Sequence, residues 1–247
     1  MSVAKFVLIL FCMLNFKSIY AGVFTGDLKL VPDGCQNSPS QICKLEGVLR
    51  YESSNGSKLV WQTDAWSSDS VQSGTTNGAS IPGWAQSIIG APYDPSYLKA
   101  AIVHDHYCFK ENYVRTWRET HRMFYDALLD LNVPKLKAKL MYFAVYTFGP
   151  HWLDIEIVAG TDCGDNCVND YKKQFPKGKR SESSEYERAD LAEQINKLKI
   201  MIENNPNLSI DDIEDHAKTV KPNDFYLMNG SKYFTKGSKD PNLFITK

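Results

Sequence analysis

The stretch YLKAAIVHDHYCFKEN, Tyr97 to Asn112, decides how the rest of the chain is read. It follows Pro95-Ser96 and carries apolar residues at three-to-four spacing, so it predicts a core-facing helix. Inside it, VHDHYC (Val103–Cys108) sets two of the chain's five histidines around one aspartate. An imidazole, a carboxylate and a thiol on one turn of an apolar helix mark a location for chemistry.

The next segments extend the pattern. A break at Tyr113–Thr116 leads to a second helix, WRETHRMFYDALLDL, ended by Asn132-Val133-Pro134. A third, KLKAKLMYFAVYTFG, stops at Gly149-Pro150. Helices joined by a short connection are antiparallel neighbours. His104 lies six residues before Lys110 and His121 five after Thr116. At 1.5 Å of rise per residue, both sit about 8 Å from the connection, so they stand at matching height and face each other. Tyr107 and Cys108 share the face of His104 at i+3 and i+4; Arg118, Arg122 and Tyr125 are the neighbours of His121.

Three roles use such a cluster. His104 can be a general base that activates water. His104, Asp105 and His121 can hold a divalent metal, zinc or calcium, with an open water position. Or His104 can be a buried structural histidine bonded across to the next helix. His106 is offset and expected to be exposed, His151 is a weak third metal ligand, and His216 is expected on the surface. The loop TTNGASIPGW (Thr75–Trp84) offers Asn77 and Ser80 as substrate-binding side chains and backbone amides for a transition state. Its bland reading is a rigid turn whose hydroxyl caps a helix. Tyr107 is expected as a supporting hydrogen-bond donor, and Trp84 as a core residue.

Toward the N-terminus the pattern is β from Phe24 to Trp61, with VLRY and KLVWQT flanking the hairpin signal Asn55-Gly56. Residues 64–82 read as loop. Before them, Lys5 precedes an apolar run, Phe6–Phe16, and the segment closes on Ala21, which reads as a signal peptide over 1–21. That expectation makes the protein secreted or periplasmic, where disulfides form. Cys35 and Cys43 can close a small loop; Cys108, Cys163 and Cys167 leave the remaining pairing open. The main domain is expected over 22–175. Beyond it, 176–247 reads as an appendage: a charged linker, an amphipathic helix over Ala189–Glu203, an N-cap at Ser209, and a hairpin in DFYLMNGSKYFT. It is expected to cover the core or to engage a protein partner. The net charge of −1 gives no bulk electrostatic reason to bind nucleic acid or an anionic membrane.

TNGASIP, AAIVHDHYC, RETHRMFYDAL and YFAVYTFG, in that order, resemble a bacterial and phage family known as a domain of unknown function, number 1353. Its pattern is a strand-rich start, a T-D-G-A-S-I-P loop, an A-x-x-H-D-x-x-Y helix and an R-x-x-A-D-x-x-F helix. The resemblance covers about Phe24 to Trp152. Asn77 and His121 stand where that pattern has aspartate. The His-Asp helix is also similar to secreted bacterial phospholipase A2, which implies His104 as base, Asp105 as a calcium ligand and His121 in the orienting position. A neutral imidazole there accepts a hydrogen bond but supplies no carboxylate charge. Two facing histidines also suit zinc.

The expected architecture is α+β: a small antiparallel β-rich front packed on a three-helix core, with a C-terminal helical and hairpin appendage. The expected function is an exported hydrolase acting through His104, Asp105 and His121 on an ester or amide of the cell envelope, in lipid or peptidoglycan. The rival expectation is a secreted or phage-structural binding module whose His-Asp pair only locks helices.

Overall fold

The structure is a computed structural model that describes residues 22–37, 42–54, 59–68, 74–109, 115–152, 155–157, 180–182, 184–230 and 233–235. The expected signal peptide, the turn Asn55-Gly56, and Cys163 and Cys167 lie outside the described residues. The front of the molecule is two small antiparallel sheets. One has the order β1 (Val23–Thr25), β4 (Arg50–Glu52), β5 (Val60–Gln62); the other β2 (Leu30–Val31), β3 (Cys43–Leu45), β6 (Thr75–Thr76). Register in the first sheet pairs Tyr51 with Trp61, and both side chains are buried. A Cys35–Cys43 disulfide ties the second sheet to the turn before it. Strand β6 falls inside the segment expected to be loop. Its two residues become a strand because they complete the edge of β3.

Behind the sheets stand α1 (Gln86–Ile89), α2 (Leu98–Cys108), α3 (Trp117–Asp130) and α4 (Lys135–Phe148). Helix α3 starts where it does because Thr116 and Glu119 form a reciprocal capping box. It ends where Asn132 adopts the left-handed conformation and Pro134 opens α4. Tyr51 donates a 2.6 Å hydrogen bond to Asp130, anchoring the first sheet to the end of α3.

The C-terminal part follows: β7 (His151–Trp152) and β8 (Ile155–Ile157), then β9 (Arg180–Glu182), α5 (Leu191–Asn204), α6 (Ile210–Val220), α7 (Phe225–Asn229) and β10 (Tyr233–Thr235). Strand β7 pairs antiparallel with β9, and β8 pairs parallel with β10. The expected hairpin over 224–235 is therefore not formed. Phe225–Asn229 is a helical turn capped by Asp224, and the strand after it pairs with β8 instead. The stripe Leu191, Ile195, Leu198 and Ile202 is buried in the same core as Val103, Leu140 and Phe143. Helix α6 opens on a Ser209–Asp212 capping box, as its sequence implies. Among the described residues, no helix is long and apolar enough to cross a membrane. The fold class is α+β.

Candidate functional site

Helix α2 is buried on almost every side: Ala100, Ala101, Ile102, Val103, His104, His106 and Tyr107 are all in the interior. A helix buried all round is apolar all round, so any polar residue it carries must find a partner. His106, expected at the surface, is buried edge-on against Tyr107 for this reason. His104 finds its partner across the α2–α3 interface, at the height the rise arithmetic gives. Its Nε2 lies 2.8 Å from Nδ1 of His121.

Hydrogen-bond logic fixes the protons. His121 Nε2 lies 3.1 Å from the carbonyl oxygen of Pro150, which only accepts, so that nitrogen carries the hydrogen. His121 is fully buried, and burial, then the nearby His104 and His151 rings, hold its pKa well below the ordinary histidine value. It is therefore neutral, and its Nδ1 is an acceptor. His104 must donate Nε2–H to it. The other nitrogen of His104, Nδ1, lies 3.2 Å from Oδ1 of Asp105, whose side chain is 32% exposed. The hydrogen-bonded chain runs His104, His121, Pro150 carbonyl, and at its half-open end the unprotonated Nδ1 of His104 faces the Asp105 carboxylate. Phe124 packs a tilted ring on His104 at 4.7 Å between centroids.

His104 and Asp105 line a cleft of about 700 Å³, counting its open mouth. One wall comes from the 79–89 segment, with Ser80, Ile81, Trp84 and Ile88. A second wall is Leu140, Met141, Ala144 and Val145 of α4. The third wall is Tyr186 with Leu191 and Ile195 of α5, so the C-terminal part completes the site. Sequence reasoning missed Tyr186, which lies in the segment read as a charged linker. Burial, then the proximity of Cys108 and Asp105, push its hydroxyl well above the usual tyrosine range, so it stays a donor.

The other expected site residues divide. Ser80 borders the cleft. The loop holding it is rigid: Gly78 has φ +80°, where a Cβ would meet the Pro92 carbonyl oxygen at 2.7 Å. Its amides are largely committed within the protein, Gly78 to Thr76 Oγ1 and Ala79 to the Pro92 carbonyl. Asn77 is exposed and does not line the cleft. Tyr107 is sealed on the opposite side of α2 against Trp61, and its hydroxyl accepts the Gln62 N–H at 2.9 Å. It does not border the cleft either. His151 is buried on the Tyr146 carbonyl at 2.8 Å. Its ring meets His121 edge-on, not with a shared ligand direction. His216 is half-buried, stacked on Phe143, rather than on the open surface. Trp84 is 40% exposed at the cleft and is not a core residue.

As metal ligands, His104, Asp105 and His121 do not converge. Asp105 addresses Nδ1 of the His104 ring and His121 addresses Nε2, so one ion on that ring is shared with only one of them. The trio that does converge is His104, Cys108 and His121, whose donor atoms lie within 4.8 Å of one another. That N/N/S set suits a soft divalent ion such as zinc. Its two nitrogens are at hydrogen-bonding separation, closer than the roughly 3.3 Å that a tetrahedral zinc with 2.0–2.1 Å bonds spaces them. Calcium takes 6–8 oxygen ligands, and among the described residues the cleft lining offers one carboxylate, Asp105.

Residues 57–145, which span α1 to α3 and most of α4, match the family described as "Protein of unknown function (DUF1353)". Two Sinorhizobium fredii proteins are similar. "Uncharacterized protein y4iH" is 40% identical over 147 residues, covering 59% of this chain and 55% of its own length. "Uncharacterized protein y4jT" is 37% identical over 147 residues, covering 58% and 40%. The chain thus spans about half the length of the curated relatives it matches, or less. No solved structure matches it.

Proposed function

Starting from that match, whose description assigns no activity, we propose that the protein is a hydrolase in which His104 activates water against an ester or amide bond. The observation that carries this reading is the one-way proton chain. Nε2–H of His104 is committed to a neutral acceptor, His121, which leaves Nδ1 as the basic atom, on the Asp105 side of a cleft. A general base needs one nitrogen oriented by a partner and the other left as an acceptor, and His104 has both.

The step follows from it. A water on the Nδ1 side gives its proton to Nδ1 as its oxygen bonds to the substrate carbonyl carbon. The imidazolium so formed donates Nδ1–H to Asp105, whose carboxylate offsets the new charge. The tetrahedral intermediate then expels the alcohol or amine, which takes the same proton from Nδ1. The products are a carboxylic acid and the alcohol or amine, and His104 returns to its neutral form. Asp105 supplies, from the adjacent position, the charge that imidazole at 121 cannot. Ser80 and Tyr186 are the hydroxyl donors that border the cleft.

A second reading keeps the same residues and adds zinc. It is favoured by the convergence of His104, Cys108 and His121. Bound zinc would polarise a carbonyl or water, with Asp105 left to hold a proton. Metal analysis of the purified protein and of Cys108→Ser separates the two readings. Release at the cell envelope or outside the cell fits both, since a disulfide such as Cys35–Cys43 persists in oxidising compartments.

The test compares wild type with His104→Gln on short-chain ester and anilide substrates, alongside their melting temperatures. The expected result is a loss of about 10²–10⁴-fold in rate with little thermal change. Equal rates would remove His104 from catalysis. A collapsed fold would favour a binding module in which the His-Asp pair only holds helices together.

A further inference from the structure

The chemistry of the cleft walls goes further than the reactive groups. Its polar lining is Ser80, His104, Asp105 and Tyr186, and the remainder is apolar. All four line the one cleft, and Asp105 is 3.2 Å from His104. The lining carries no lysine or arginine. A peptidoglycan strand, with its sugars, amides and carboxylates, needs a matching row of donors and acceptors, and these walls would leave most of them unpaired. A long hydrocarbon chain has no such need. At the mouth, Trp84 and Ile88 are 40% and 38% exposed, which leaves a large apolar edge facing water.

We propose that the cleft holds a single acyl chain of a lipid ester, with its carbonyl at the His104–Asp105 pole and its methylenes along Ile88, Ala144, Leu191 and Ile195. This rests on the hydrolase reading for the position of the carbonyl, and on the walls alone for the chain. The walls are those of a ligand cleft, mostly apolar with a few placed polar groups. The bond broken is the acyl carbon–oxygen bond. Water supplies hydroxyl to the acyl carbon and, through Nδ1, a proton to the departing alcohol oxygen.

Binding and cleavage are measured separately. Fluorescence titration with dansylaminoundecanol, a neutral probe, on full-chain wild type and His104→Gln, reads the chain site without the chemistry. Saturable binding by both is expected. Unlabelled saturated primary alcohols from eight to twelve carbons should displace the probe with affinity rising about fourfold per methylene. Ala144→Phe, which fills the cleft, and Ile88→Glu, which charges its half-exposed mouth, should each weaken binding at least tenfold while circular dichroism stays unchanged. Two variants on different walls guard against one that simply misfolds. Absent binding, affinity independent of chain length, or displacement by soluble muropeptides equal to that by dodecanol would each overturn the proposal. Cleavage of p-nitrophenyl esters of the same chain lengths is the second arm. Length-dependent binding with no cleavage would sink the hydrolase reading and leave the acyl site standing. His104-dependent cleavage with no length dependence would do the reverse.

Discussion

Helix α3 carries two polar clusters on neighbouring faces, built on opposite terms. Toward α2 it offers His121, neutral and fully buried, to His104. Toward α6 it offers Arg118 and Arg122 to Glu214. Glu214 Oε1 accepts from Arg122 Nε at 2.6 Å and from the Tyr142 hydroxyl at 2.5 Å. Its Oε2 accepts from Arg118 at 3.0 and 2.5 Å. Burial works to raise the Glu214 pKa, but the bonds from Arg122, Arg118 and Tyr142 outweigh it and hold the carboxyl below its usual range. Each carboxylate oxygen has at least two donors, and Glu214 does not line the cleft beside His104. The histidine chain instead ends on a half-exposed carboxylate beside a cleft. The difference separates a clamp from a site: a clamp closes its bonding, whereas a site leaves one atom with capacity and access.

A pair of variants breaks or sharpens this comparison most strongly. His104→Gln should cost about 10³-fold in ester cleavage while changing unfolding free energy by no more than ~1 kcal/mol, since glutamine can still donate to His121. Glu214→Gln should do the reverse. Removing the charge leaves two guanidinium groups without their carboxylate. Because both arginines are more than a third exposed and can rehydrate, the loss should be about 2–3 kcal/mol, below the 3–5 expected for a fully buried pair. Urea unfolding measures it, and the ester rate per folded molecule should stay within about threefold. Matching losses of stability and rate in both variants would mean that the two clusters are one structural unit.

Acidification separates the clusters less sharply but in a defined direction. His151, pressed against Trp117 and bonded to the Tyr146 carbonyl, has its pKa lowered to about 4, chiefly by burial. His121 is lowered in the same sense. Both bind a proton more weakly in the folded chain than in the unfolded one. The unfolded state therefore gains protons first as pH drops below about 6.5. Stability should be highest above that pH and decline toward pH 4, by about 3 kcal/mol for His151 alone. Glu214 and Asp224, both lowered carboxylates, add losses of the same sign as they protonate. Urea midpoints at pH 7, 5.5 and 4 check this; a midpoint rising on acidification would contradict the neutral assignment of the buried rings.

Much of this was legible in the sequence, and the reasons for the rest are physical. The meeting of His104 and His121 follows from helix rise and loop length alone. The capping residues Thr116 and Ser209 follow from local chemistry. What depends on packing by distant residues was hidden. Tyr186 and the α5 stripe are 80 or more residues from His104 in sequence, and nothing in a charged segment signals that it folds over a cleft. His106 was misjudged because α2 is buried between the sheets and α3, so an offset of two positions does not lead to solvent. Helical spacing alone did not resolve i+3 from i+4: Cys108 does lie beside His104, at 3.6 Å, but Tyr107 turns to the other side.

Tyr107 therefore supplies the smallest and most exact test of which side of α2 is the working side. Its hydroxyl is pushed up to about 12, by burial first, and it serves as acceptor for the Gln62 amide of β5. Tyr107→Phe keeps the ring against Trp61 and removes one buried acceptor. The expected cost is about 1 kcal/mol, since the amide loses its partner while the packing stays. Neither ester cleavage nor acyl-chain binding should change beyond twofold, because the residue faces the sheet and not the cleft. A tenfold loss of either, at preserved stability, would place Tyr107 on the substrate side and would require α2 to be turned about its axis relative to α3, which the His104–His121 bond forbids.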